Sequence, residues 1–379
     1  MTEAGIAPKL AGSELATEAA VQTGSSLSGT RNDEVADSTD HGLHTHAAAR
    51  AAWTDAGAQT SVAEFYRCGQ IRLVSANGPG SGYTLWARLI AQHLGKHLPG
   101  QPAVIVESMG GAGGMIAANW AYSVAPRDGK TILSVVRETA VLSVLHAKGV
   151  QFDAQKFAWL GSPTNETSVC VARVDAPWRT VDDAYTKEML VGTDGVGSGL
   201  HIFPVALNSI LGMKFKVIDG YSDSGAVLLA ADRGEVDGSC QSAETMLHAR
   251  GAQIASGAIR VILQAGLKRN PQFPDAPFVM DLARTPAQKQ SLQFLYASMA
   301  FGRPFLAPPA VPADRVAALQ DAFMQTFADP DFLAEAKKQG YTIDPVSGPQ
   351  MKKLLDDVVA TPPDVVKEVA RLIDPQGGR

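Results

Sequence analysis

No continuous apolar run approaches the roughly 18–20 residues that a membrane-spanning helix requires, so a soluble protein is expected. Basic runs long enough to track a phosphate backbone are also missing. With a net charge of −5, nucleic acid is not an expected partner. His-Glu-x-x-His, Cys-x-x-Cys and Gly-x-Ser-x-Gly do not occur, which removes the signatures of zinc-dependent and nucleophile-elbow hydrolysis. The carboxylates are dispersed, with no pairing suited to acid–base work, so neither catalytic residues nor a metal site is expected. Cysteine is scarce: Cys68, Cys170 and Cys240 show no metal-type spacing. Cys170 and Cys240 lie in short apolar runs, either bridged to each other or as small free core residues. A secretory leader would show basic residues followed by about 7–15 apolar ones. Here Lys9 stands alone, and no such stretch follows it.

What is present divides the chain. Residues 1–60 are rich in Ala, Thr, Ser, Gly, Asp and Glu and almost free of large apolar side chains. Such a segment cannot bury enough surface to offset the entropy of ordering, and a disordered tail is expected. It carries His41, His44 and His46, which are read as solvated. The remainder is ordinary globular material, in a chain with 45% apolar and 19% charged residues. It is long enough for one large or two medium cores.

From Gln70 onward, strand-like runs alternate with helical periodicity. Ile71–Ala76, Ala103–Val106 and Thr131–Val136 read as buried strands. After the first, Thr84 is expected to cap a helix, because Leu85, Leu89, Ile90, Leu94 and Leu98 recur on one face. A second helix is expected over Met115–Ser123. Val169–Ala172, Met189–Val191, Phe215–Ile218 and Val261–Leu263 continue the strands, and the last quarter reads as helical, packed outside one lobe. Strand–loop–helix repetition of this kind implies an α/β fold with parallel pairing and right-handed crossovers.

The loops after these strands are rich in glycine: Asn77-Gly78-Pro79-Gly80-Ser81-Gly82-Tyr83, Gly110-Gly111-Ala112-Gly113-Gly114, and Gly195-Val196-Gly197-Ser198. Each feeds a helix. Bare amides at a helix N-terminus carry the positive end of its dipole, and in open α/β sheets such loops gather at the carboxyl edge of the strands. Several together make a pocket for an anion. A dinucleotide fingerprint fits less well: in Gly78-x-Gly80 the third glycine comes one residue early, Tyr83 stands where Gly belongs, and Glu107 is followed at once by another glycine loop. An enzyme with a nucleotide on the Gly78–Gly82 loop is the alternative, and a cytoplasmic carboxylate sensor is another.

Several phrases, in consistent order, resemble the substrate-binding receptors of tripartite tricarboxylate transporters, the Bug proteins. They are Val62-Ala63-Glu64-Phe65-Tyr66, Gly78 through Arg88, Gly111-Ala112-Gly113-Gly114, Ala125-Pro126-Arg127-Asp128-Gly129, Gly220-Tyr221, Arg233 through Gly238, and Ala307-Pro308-Pro309 through Ala328-Asp329-Pro330. The resemblance runs from about 62 to 370. It implies a two-lobed type 2 periplasmic-binding-protein clamshell, without a cofactor, in the periplasm. The implied lobes are 61–160 plus 243–379, and 161–242. The implied partners are a small mono-, di- or tricarboxylate and membrane permease subunits, with the receptor itself a monomer.

By the same resemblance, the loops Gly78–Thr84 and Gly110–Gly113 hold a ligand carboxylate through backbone amides. Gly195–Ser198 and Tyr221–Ser222 face them from the second lobe. Arg137 pairs either with a second carboxylate or, in a surface ion pair, with neighbouring Glu138. Asn165 and Gln241 donate amide hydrogen bonds either to the ligand or to hinge backbone. Thr84 stands where the family usually has Asp, which removes any carboxylate role there.

Overall fold

The structure, a computed structural model, describes residues 61–373; the expected tail 1–60 and its histidines lie outside them. The first lobe opens with helix α1 (Val62–Tyr66), strand β1 (Gln70–Ser75), helix α2 (Gly82–His97) and strand β2 (Ala103–Ser108). Helix α3 (Met115–Ser123), β3 (Thr131–Ser134), α4 (Thr139–Val144) and β4 (Ala158–Ser162) follow. Ile71, Leu73 and Val74 of β1 are fully buried, as is the Trp86, Ile90 and Leu94 face of α2. Burial of that stripe is what holds the helix on the sheet.

Helix α2 begins three residues earlier than the expected Thr84 cap. Ser81 caps it, accepting from the Tyr83 amide at 3.2 Å. Thr84 sits inside the first turn on the buried face, 2.7 Å from Ser75 Oγ and donating to the Gly78 carbonyl at 2.8 Å. Its hydroxyl thereby fastens the glycine loop to the end of β1.

The chain then crosses through residues 163–167 to β5 (Ser168–Arg173), β6 (Met189–Gly192), α5 (Gly199–Leu211), β7 (Phe215–Ile218) and α6 (Ser224–Asp232). Strand β8 (Gly238–Ser242), α7 (Ala243–Ala255), β9 (Ile259–Ala265) and α8 (Pro286–Tyr296) come next. Strand β10 (Phe305–Ala307), α9 (Ala313–Ala328), α10 (Pro330–Lys338), β11 (Val346–Ser347), α11 (Gly348–Val359) and α12 (Pro363–Ile373) complete the described chain.

Two sheets result, with strand orders β11-β4-β10-β3-β1-β2 and β7-β6-β8-β5-β9. Strand β1 is parallel to β2 and β3, and β6 is parallel to β7 and β8. Strands β10 and β11 in one sheet, and β5 and β9 in the other, pair antiparallel. Both sheets are therefore mixed, and the loop–helix units occupy the parallel half of each. Cys170 and Cys240 are in register on β5 and β8 and form a disulfide, which settles the alternative left open by the sequence.

Two expectations need correction. Strand β9, assigned above to the first lobe, pairs with β5 in the second sheet, so the chain does not return at 242. It returns through α8 and the segment leading to β10. Helix α12 also does more than cover one lobe. Val369 joins the first lobe's core with Leu355 and Val358, while Leu372 and Ile373 pack against the core that contains α5.

The two crossings are tied together. The Glu166 amide donates to the Met299 carbonyl at 3.1 Å, and the Arg303 amide to Ser162 Oγ at 2.9 Å. Gly302, at φ +59, has the Thr164 carbonyl where a Cβ would lie, so no other residue fits there without moving the crossing.

Candidate functional site

Four turns meet between the sheets, two from each lobe. Asn77–Ser81 leads from β1 into α2, and Gly110–Gly114 from β2 into α3. Opposite them, Asp194–Ser198 leads from β6 into α5, and Tyr221–Asp223 lies between β7 and α6. All follow the carboxyl ends of parallel strands, so the fold itself aims their amides at the same cleft.

The turns interlock in pairs. Gly113 (φ +64) lies against the backbone of Gly197 and Ser198, and Gly195 (φ +124) against Ala112 and Gly113; neither position has room for a Cβ. On the other side, Asp223 of the second lobe reaches into the first glycine loop. Its Oδ2 accepts from the Gly80 amide at 3.1 Å, while its Oδ1 caps α6 through the Ala226 amide at 2.9 Å. The acidic side chain thus bridges two sets of amides in opposite lobes, as expected for a carboxylate at a helix N-terminus.

Between these pairs lies a narrow pocket of about 20 Å³. Of the expected residues, Asn77, Ser81, Tyr83, Arg137, Ser198 and Gln241 line it. The remaining glycines shape the turns instead. Gly78 and Gly80 abut Asp223, Gly110 packs on the Asn77–Gly78 peptide, and Gly82 lies beside the Arg303 guanidinium. Gly111 and Ala112 take positive φ in their turn. The Tyr221 ring rests on Gly192, and Ser222 is exposed with its carbonyl near Gly78.

Asn165 does not line the pocket. Its side-chain amide donates to Asp344. Along an extended crossing, adjacent side chains point to opposite sides, and here Glu166 takes the inward one.

Arg137 is only 3% exposed, so it is not a surface ion pair. Its Nε donates to Glu138 Oε1 at 3.1 Å, and an Nη donates to Glu166. Glu166, on the first crossing, also pairs with Arg303 on the second. Arg303 Nη2 donates to Ser242 Oγ at 3.0 Å and Thr245 Oγ1 at 2.8 Å, and its guanidinium lies 4.5 Å above the Tyr83 ring. Both carboxylates and both guanidiniums are almost fully buried. Burial alone pushes Glu138 upward, and the Arg137 guanidinium counters that shift. Burial likewise raises the Tyr83 phenol, whose oxygen accepts from the Arg137 amide at 3.1 Å.

Glu138, Glu166, Asp194, Asp223, Thr245 and Arg303 were not anticipated as part of the cleft. Asp223 had a legible signal: an Asp before Ser-Gly-Ala at a helix start is a favoured cap. Glu166 and Arg303 meet only because two distant crossings run side by side, and no local spacing announces that.

The sequence profile described as the tripartite tricarboxylate transporter family receptor matches residues 86–370, about three quarters of the chain. A UPF0065 protein of Bordetella bronchiseptica is 30% identical over 220 residues, spanning 56% of this chain and 62% of that protein. This chain therefore matches less than two thirds of that relative's length. A second UPF0065 protein, from Cupriavidus necator, is 28% identical over 271 residues, 69% of this chain and 76% of that one.

Among solved structures, the periplasmic binding protein BugD superposes with a TM-score of 0.64 at 20% identity, covering 81% of this chain and 98% of that one. MatC from Rhodopseudomonas palustris, solved with bound malate, gives a TM-score of 0.62 at 20% identity, covering 79% and 99%. These likenesses establish a shared fold, that of two-lobed periplasmic binding proteins.

Proposed function

The chain belongs to the tripartite tricarboxylate transporter receptor family, and from that premise we propose that it closes on a small carboxylate between its lobes and delivers it to a membrane permease. One observation carries the reading: glycine-rich turns at the starts of α2, α3 and α5 converge on one cleft, with a carboxylate already seated on a Gly80 amide. That carboxylate is the protein's own Asp223, and its contact supports the reading that the turns suit a carboxylate.

The pocket has room for about one water molecule. Ligand entry therefore requires the lobes to part, breaking the Gly80–Asp223 contact and separating Gly113 from Ser198. The family and fold are those of solute-binding receptors rather than enzymes. In keeping with this, Asp223 occupies the loop that a dinucleotide reading would assign to pyrophosphate, and Glu107 is held by Arg72 at 2.7 Å.

The Cys170–Cys240 disulfide supports an extracytoplasmic setting, because such bonds persist in oxidising compartments. The monomer is the functional unit of this proposal, since both halves of the cleft come from one chain.

Calorimetric titration and thermal-shift screening against mono-, di- and tricarboxylates test the reading. A rise in melting temperature with one or more of these acids, and none with NAD(P) or ATP, is expected. Indifference to every acid overturns it. Fractionation of the host, with thiol alkylation to read the state of Cys170 and Cys240, tests the compartment separately.

A further inference from the structure

Both cations of the cleft already have partners. Arg137 is held by Glu138 and Glu166, and Arg303 by Glu166, Ser242 and Thr245. A carboxylate is left over instead. Asp194 lines the same pocket, and its side chain meets the Ser198 hydroxyl with no ion-pair partner among the described residues. Burial raises its carboxyl to about 6, and the charges of Glu138 and Asp223 push the same way.

A second observation is independent of that charge. Asn77 and Gln241 line the pocket at 4% and 1% exposure, and the side-chain oxygen of each has no hydrogen-bond partner. Gln241 spends its nitrogen on Ser239 Oγ at 2.8 Å and Met246 Sδ at 3.1 Å, which leaves its oxygen free. Buried acceptors without donors are costly, and they persist where something else supplies the donor. The sheet brings these groups together: Val191 pairs with Gly238, and Asp194 and Gln241 each lie three residues further along.

We propose that the ligand carries an ammonium group beside its carboxylate, with Asp194 as the counter-ion and the Gln241 and Asn77 amide oxygens as additional acceptors. The inference rests on the carboxylate reading above and narrows it to amino acids. One end of such a ligand is held by the turn amides, and the other neutralises the one cleft carboxylate that lacks a donor of comparable strength. A ligand with anionic groups alone would instead bring its charge next to Asp194.

The test uses acids that differ at a single position, titrated calorimetrically into the full chain. Succinate, malate and aspartate carry hydrogen, hydroxyl and ammonium at one carbon; 3-phenylpropionate, phenyllactate and phenylalanine repeat the series at larger size. In at least one series the ammonium member is expected to bind about tenfold or more tightly than the other two, the usual worth of a hydrogen bond to a charged group. Asp194→Asn should collapse that preference while tightening the unsubstituted acid, because a like charge is removed. Gln241→Met, close in volume, should reduce the preference several-fold and provides the check should D194N fold poorly. Binding of both series without preference for the ammonium member overturns this inference and leaves the carboxylate reading standing. Silence toward all six, and toward the wider acid panel, overturns both.

Discussion

Replacing Asp223 by Ala isolates the contact that holds the first glycine loop to the opposite lobe. The side chain makes two bonds with different consequences. The bond to the Ala226 amide lies within the second lobe and exists whether the cleft is open or closed; losing such a cap costs about 0.5–2 kcal/mol of stability. The bond to the Gly80 amide exists only when the lobes meet. A hydrogen bond to a charged acceptor is worth roughly 1.5–3 kcal/mol, so its loss should shift the opening equilibrium by about 10- to 150-fold. Hydrogen exchange resolved at single amides separates the two. In D223A both the Ala226 and Gly80 amides should lose protection, with the Gly80 loss in that range and a larger radius of gyration by small-angle scattering. Asp223→Asn keeps a neutral acceptor and should fall between. If Ala226 loses protection while Gly80 does not, Asp223 is a helix cap only, and the latch described here is wrong.

Reduction of Cys170–Cys240 releases a cross-link between residues 70 apart in sequence. The loop-entropy relation gives about 4 kcal/mol for that span, and denaturant melts with and without reductant should show a loss of that order. Glu166→Gln leaves two buried guanidiniums short of a counter-charge and should destabilise by about 3–5 kcal/mol, read as a lower denaturant midpoint. Burial raises Glu244 to about 7, with Trp86 donating to it at 2.9 Å. The folded state thus holds that proton more tightly than the unfolded chain, so this group's contribution to stability is fully present below about 4.5 and is lost as pH rises through 7. Melting temperature measured across that window should fall less steeply in Glu244→Gln; an unchanged slope would show that Glu244 is not the group responsible.

How much was visible beforehand follows from what local sequence encodes. The parallel strands β1, β2, β6 and β7 are short runs followed by glycine and a helix, β3 leads into its helix without a glycine, and all five were legible with small errors at their ends, although β2, expected to be buried, is a largely exposed edge strand. Strand β8, Gly-Ser-Cys-Gln-Ser, is fully buried yet has the composition of a loop rather than the apolar run assigned above to the surroundings of Cys240, and β10 and β11 are too short to carry a period. Their strand character comes from neighbours that only the fold supplies. The cleft divides in the same way. The turn glycines were visible because backbone freedom leaves marks in sequence, whereas Tyr83 and Gln241 entered only through the family resemblance. The ion cluster was not, because Arg137, Glu166 and Arg303 come from three separate segments. Arg137 itself was seen, but as a choice between a ligand contact and a surface pair, and it proved to be neither exposed nor alone.

The stapled crossings have a mechanical consequence. Two separate connections would let one lobe twist or slide over the other. Joined by the Glu166–Met299 and Arg303–Ser162 hydrogen bonds and the Glu166–Arg303 pair, they form a single axle. Arg137 and Ser242 both grip Glu166, so both are fastened to that axle. On the function proposed above, the floor of the cleft would stay assembled while the rim swings away, and an incoming molecule would meet a half-built seat instead of having to assemble one.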